Sequence, residues 1–209
     1  MARHTFIDLT RSLTDTLPVY RLGSYADPPF RCTEWCSVTD QGFRVSRVEL
    51  GTQTGTHIDA PAHFVADGPT LDSMPVQKLV GPYFLIDMPG FCSQEVLEAV
   101  TSAFNGEPIL FLRTEAGGTS QITQSALDHL IGLSAQVWAL GGTVLVEGAP
   151  EHEFHRRLGQ AGVFLVEDLD VTAVAGVPTR GELFAFPLKL IGTSGAPCRV
   201  VVLAATEGT

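Results

Sequence analysis

The sequence has 209 residues, 44% hydrophobic and 17% charged, with 13 Lys and Arg against 23 Asp and Glu and a formal net charge of -10. That length suits one domain able to bury a large core without disulfides, and we expect a single domain over residues 1–209. The negative balance argues against nucleic acid as a partner, which requires a basic face to displace counterions from phosphates, and it disfavours docking on an anionic membrane. No apolar run approaches the ~18 residues of a spanning helix, and residues 1–18 lack the hydrophobic stretch of a secretory signal. A cytoplasmic protein is the expectation. Cys32, Cys36, Cys92 and Cys198 then read as reduced thiols, since the C-x3-C of the first two has no second pair to complete a zinc site.

Taken in chain order, the first forty residues read as loop-rich, with a short strand at Phe6–Leu9 and a turn at Asp27-Pro28-Pro29. Residues 43–50 alternate with a change of parity, which predicts a strand bulged near Ser46-Arg47. Beyond residue 80 strands and helices alternate. Tyr83–Met88 is a short apolar run of the buried-strand kind. Ser93 is placed to cap a helix with the stripe Val96, Leu97, Val100 and Phe104. Ile109–Leu112 is a second buried strand, and Thr123 caps a helix facing Leu127, Leu130 and Ile131 inward. A strand at Gln136–Leu140, a helix at Pro150–Gln160 and a strand at Val163–Glu167 follow, then strands at Leu183–Ile191 and Arg199–Ala204. This order predicts an α/β fold with a mixed sheet.

The chemistry-bearing segment is Gln53-Thr-Gly-Thr-His57-Ile-Asp59-Ala-Pro61-Ala-His63. Gln53, His57, Asp59 and His63 occupy odd positions, which an extended chain points to one side. A helix is excluded, because His57 and Asp59 would stand ~200° apart and Pro61 would break it. A straight strand would spread Gln53 and His63 over ~33 Å, so the chain must bend, and Gly55 and Pro61 are the residues that permit it. An imidazole and a carboxylate two residues apart suit a transition metal, but the spacing alone is a weak signal and also describes a hydrogen-bonded pair in a loop. A second cluster follows at His152, His155 and Glu167. Glu167 ends an apolar strand, where α/β sheets place their sites, although a solvated helix face and a strand-end charge describe these residues as well.

The segment resembles the signature H-x-G-T-H-x-D-x-P-x-H of the cyclase-like metal-dependent hydrolases, a family that includes bacterial kynurenine formamidase and isatin hydrolase. Every defined position matches except the first, where Gln53 stands. The likeness extends to Ile7-Asp8-Leu9-Thr10, to His155-Arg-Arg-Leu158 with Val166-Glu167-Asp168-Leu169, and to Gly195-Ala196-Pro197-Cys198-Arg199. It implies a swivelling β/β/α fold and hydrolysis of an amide (aryl formamide or cyclic amide) or a lactone by metal-activated water. A biosynthetic cyclase or dehydratase using the same metal as Lewis acid is the alternative.

The resemblance also assigns roles. His57 and Asp59 match ligands of a first metal, His155 and Glu167 those of a second, with zinc or manganese at one or two ions per chain. His63 matches the histidine that acts as general acid/base. Gln53, an oxygen donor in place of imidazole, is expected at or just outside the first metal. Tyr20 falls where the formamidase has a tryptophan that stacks on its aryl substrate. A small-molecule substrate and a homo-oligomer complete the expectation.

Overall fold

The first strand of the described residues pairs antiparallel with the last, which ties the two together across the fold. A computed structural model describes residues 3–206. The strand β1 (Arg3–Asp8) is followed by a ribbon of β2 (Arg21–Leu22) and β3 (Tyr25–Ala26), and then by a hairpin of β4 (Arg31–Cys36) and β5 (Val45–Glu49) joined through the single turn α1 (Val38–Gln41). The short β6 (His57–Asp59) leads through three 3-10 turns to β7 (Val80–Met88) and β8 (Phe91–Cys92). After these come α2 (Gln94–Thr101), β9 (Ile109–Thr114), β10 (Thr119–Ile122), α3 (Gln124–Gly132), β11 (Val137–Gly141) and β12 (Thr143–Val146). The chain ends with α4 (Glu153–Gln160), β13 (Phe164–Glu167), α5 (Val171–Val174), β14 (Arg180–Pro187) and β15 (Gly195–Thr206).

Eight strands form one mixed sheet in the order β1-β15-β14-β7-β9-β11-β13-β6, with β6 pairing back onto β15. The sheet therefore closes into a barrel, and β6 is the stave that closes it. The strands β7, β9, β11 and β13 run parallel to one another, while both neighbours of β6 are antiparallel to it. This is the mixed α/β fold expected from the alternating pattern.

Alternate residues of the central strands face opposite ways, and both sides are dry. Tyr83, Leu85, Ile109, Phe111, Ala139 and Val166 fill the barrel interior. Phe84, Ile86, Leu110, Leu112 and Leu165 pack outward against Leu97 of α2, Leu127 and Leu130 of α3, and Phe154 and Leu158 of α4. Burying one such leucine contributes about 2 kcal/mol. The apolar runs arise because neither face of these strands meets water.

Several local expectations hold and several shift. Thr123 caps α3, its side chain accepting from the Ala126 amide at 3.1 Å, an interaction worth about 1 kcal/mol. Ser93 precedes α2, but its hydroxyl turns to the Glu95 carboxylate at 2.6 Å and caps no amide. Of the expected α2 stripe, Leu97 is buried, whereas Val96 and Val100 are exposed. The helix expected from Pro150 starts at Glu153 and leaves His152 at its cap. The bulge lies on the partner strand: Glu34 pairs with Ser46 and Cys36 with Val45, so Trp35 is the extra residue. No face of that hairpin is buried, so the parity of residues 43–50 carries no burial signal. All four cysteines are free thiols.

Candidate metal centre

Strand β6 brings the first two candidate ligands to one face. His57 and Asp59 are two residues apart and point together, outward from the barrel, while Ile58 between them enters the interior. The expected bends are present. Gly55 adopts φ +62° with Leu13 so near that a Cβ would stand 2.6 Å from its methyl, and Pro61 opens the 3-10 turn that carries His63.

Register supplies the third candidate ligand. On one side of β6, Glu167 pairs with His57 and Leu165 with Asp59. On the other, Pro197 pairs with His57 and Gly195 with Asp59. One ligand atom from each of His57, Asp59 and Glu167 can be chosen so that all three lie within 4.8 Å of one another. His57 Nε2 stands 3.5 Å from Asp59 Oδ1. The other ring nitrogen, Nδ1, lies 2.7 Å from the Gly55 carbonyl oxygen. A carbonyl accepts only, so Nδ1 carries the hydrogen and Nε2 is the ring nitrogen turned to the carboxylates, the arrangement that orients metal-binding histidines.

His155, from the first turns of α4, reaches the same cluster, its Nε2 3.0 Å from Glu167 Oε1. Its Nδ1 is buried and has no hydrogen-bond partner. Asp168, directly after Glu167, takes φ +54°, a conformation that aspartate tolerates better than most residues, and forms an ion pair with Arg11. That pair anchors the N-terminal segment beside the site.

The electrostatics are those of a site short of positive charge. Burial pushes the Asp59 carboxyl up to about 7, against the lowering influence of His57. Glu167 is also penalised by burial, yet the His155 imidazole beside it holds its carboxyl below the ordinary value. His155 is correspondingly raised by Glu167, despite its burial. A divalent cation among these groups would compensate the carboxylates, and the donor set of imidazole nitrogen and carboxylate oxygens fits zinc or manganese.

Gln53 also reaches the cluster, but not as expected. Its amide nitrogen donates to Asp59 Oδ1 at 3.3 Å, and its oxygen accepts from the Thr52 hydroxyl at 2.5 Å. The oxygen therefore faces away from Asp59, because a carboxylate oxygen attracts a donor and repels another acceptor.

His63 lies on the 3-10 turn with its Nδ1 3.4 Å from Ser194 Oγ. Burial of its imidazole and the nearby His57 lower its pKa. Phe64 ties the histidines together, its ring centroid 4.5 Å from His63, 5.7 Å from His152 and 5.1 Å from His155. Tyr20 contacts His152, with its hydroxyl 3.1 Å from Nε2. A cavity of about 930 Å³ opens over His57 and Glu167, with Tyr20, Leu17 and Gly142 in its walls. Ser194 and Phe64 were not singled out in the sequence; the only hint of Ser194 was the glycine that follows it.

The sequence profile of the family described as "Putative cyclase" matches residues 7–142. A kynurenine formamidase of Bacillus cereus is 28% identical over 212 residues, covering 97% of this chain and 99% of the relative. A kynurenine formamidase of Bacillus anthracis is 27% identical with the same coverage. Among solved structures, isatin hydrolase A from Labrenzia aggregata, bound to benzyl benzoate, superposes with a TM-score of 0.84 at 23% identity, over 97% of this chain and 94% of that one. A predicted metal-dependent hydrolase from Bacillus stearothermophilus superposes with a TM-score of 0.73 at 25% identity, over 97% of this chain and 99% of that one. The profile spans more than half of the sequence, and the chain belongs to this cyclase family.

Proposed function

We propose that the chain is a metal-dependent hydrolase of a C–N amide bond, in an aryl formamide or a cyclic amide, with lactones as a related substrate class. The convergence of His57, Asp59 and Glu167 ligand atoms beneath an open cavity carries this reading. The full-length likeness to kynurenine formamidases supports amide over other bonds. Cyclisation or dehydration at the same site is not favoured, since these relatives carry hydrolase names.

His57, Asp59 and Glu167 would hold a divalent ion, zinc or manganese, with His155 added through its contact with Glu167. When bound, such an ion lowers the pKa of water from about 16 to about 7 and so makes hydroxide available at neutral pH. The protein's own contribution lies in orientation and proton transfer. Gly55 fixes the His57 tautomer through its carbonyl. His63, its pKa lowered and so neutral at pH 7, accepts a proton and delivers it to the departing amine or alkoxide. Tyr20 offers an aromatic wall at the mouth of the cavity.

The hairpin supports a homo-oligomer. Residues 31–49 contain no buried residue, and Trp35 is 71% exposed, with Val38 and Phe43 also exposed. A lone two-stranded hairpin is marginal in water. It carries Arg31, Arg44 and Arg47 against Glu34, Asp40 and Glu49, a balance that the chain as a whole lacks. A second copy of the same acidic chain can meet such a neutral patch without like-charge repulsion. We place this assembly in the cytoplasm.

The test is a screen of N-formyl aryl amines, cyclic amides and lactones with protein loaded with zinc or manganese and with chelator-treated protein. The expected result, formed only by the loaded protein, is free amine with an equivalent of formate from an N-formyl aryl amine, or a single ring-opened product heavier by one water from a cyclic amide or lactone. Turnover unaffected by chelation refutes the reading.

A further inference from the structure

We infer that Gln53 is a positioning residue and not a ligand: its amide N–H holds the Asp59 carboxylate for a cation bound by His57, Asp59 and Glu167. The inference rests on the metal-site reading above and deepens it.

The two ends of the amide are distinguishable by their partners. Its nitrogen lies 3.3 Å from Asp59 Oδ1 and 3.5 Å from Ser194 Oγ, and its oxygen 2.5 Å from the Thr52 hydroxyl. Turned over, the amide would set its oxygen against the carboxylate and lose the donor to a residue only 5% exposed. An unmatched carboxylate oxygen at that burial is costly. Thr52 thus sets the direction in which Gln53 faces, and Gln53 sets the carboxylate.

The seat is shaped for this amide. Gly195 opens β15 directly opposite Asp59. A Cβ there would stand 2.6 Å from the Gln53 nitrogen, 2.8 Å from the Ile58 carbonyl oxygen and 3.2 Å from Asp59 Oδ1. The absence of a side chain at residue 195 leaves the space that the amide fills. Two carboxylates of the centre are then held in parallel fashion, Asp59 by Gln53 and Glu167 by His155. Removing a group of this kind ordinarily weakens metal binding about 10–100-fold without removing a ligand.

The experiment titrates wild type, Gln53→Leu and Thr52→Val with Co²⁺, using equilibrium dialysis for affinity and the visible d–d bands for coordination. Expected are the same number of equivalents at saturation and the same band positions and intensities in all three proteins. The dissociation constant should rise about 10–100-fold in Gln53→Leu and by a smaller factor in Thr52→Val. Fewer equivalents or altered bands in Gln53→Leu make the residue a ligand and overturn the inference. So does an affinity in Gln53→Leu equal to that of wild type. If Gln53→Leu fails to fold by circular dichroism, Thr52→Val decides, and unchanged affinity there overturns it. Wild type that takes up no Co²⁺ removes the metal-site reading itself, a failure visible before any variant is compared.

Discussion

Glu167 stands directly opposite His57 in the antiparallel pairing of β13 with β6, although more than half the chain lies between them. Opposed residues on one face of such a pair have Cβ atoms about 5 Å apart, which puts this carboxylate and imidazole within reach of one cation. The centre is therefore a product of strand register as much as of residue type.

If Glu167 is a ligand, as proposed, metal binding should require charge at position 167. Glu167→Gln keeps the shape of the side chain and removes the anion. Protein loaded with zinc or manganese and then desalted should retain less than half its metal in this variant, and likewise in Asp59→Ala, by emission spectroscopy. Near-complete retention in either variant would take that residue out of the ligand set.

His63 touches the site without belonging to the ligand cluster. His63→Ala should keep its metal and lose about 10²–10⁴-fold in kcat, the usual contribution of general acid–base catalysis. Because burial and His57 lower the imidazole pKa, the wild-type rate should hold below the pH at which an ordinary histidine protonates. The acid limb of the profile should disappear in the variant. Metal lost together with activity would show that His63 is a ligand.

Asp59 makes a prediction about the metal-free protein. Burial raises its carboxyl to about 7 from the ordinary 3.8 of an exposed aspartate, so between those values the folded state binds the proton more tightly than the unfolded state. Stability from this group is full below about pH 4 and is lost as pH rises through about 7. Asp59→Asn does not titrate. In chelator-treated protein the variant should therefore gain on wild type by a few kcal/mol between pH 4.5 and pH 8. Thermal unfolding at both pH values reads the difference. A variant-to-wild-type gap that is the same at both would contradict the burial argument.

The hairpin predicts association. Sedimentation should find wild type larger than one chain, and Trp35→Asp, which puts a charge on the most exposed aromatic of the patch, should shift the population toward the single chain. The metal content of the separated chains should be unchanged, because no residue of 31–49 lies among the candidate ligands. A wild type that sediments as one chain at micromolar concentration refutes the homo-oligomer.

Much of the fold was legible because it is written locally. The apolar runs of β7, β9, β11 and β13 and the periodicity of α3 reflect burial on known faces, and those signals lie within a few consecutive residues. The pairing of His57 with Asp59 on one face follows from the two-residue alternation of extended chain, and the bends at Gly55 and Pro61 from what their backbones permit. The closure of the barrel by β6 between β13 and β15 was not legible, since it joins three segments far apart in sequence and its register depends on all of them. The same holds for the small sheet of β8, β10 and β12, whose strands are two to four residues long and leave almost no periodicity to read.

At the site, the sequence by itself determined which side chains could bind a metal and that several of them share a face. Tertiary structure decided which of them meet. Glu167 reaches His57 because register places it there, and His155 reaches Glu167 because α4 lies over that face of the sheet. The amide of Gln53 is the clearest case. Composition offers either end of it to the centre, and only the Asp59 carboxylate, the Thr52 hydroxyl and the bare backbone of Gly195 together select the nitrogen. A side chain with a donor and an acceptor takes its direction from its partners, and those partners come from the fold.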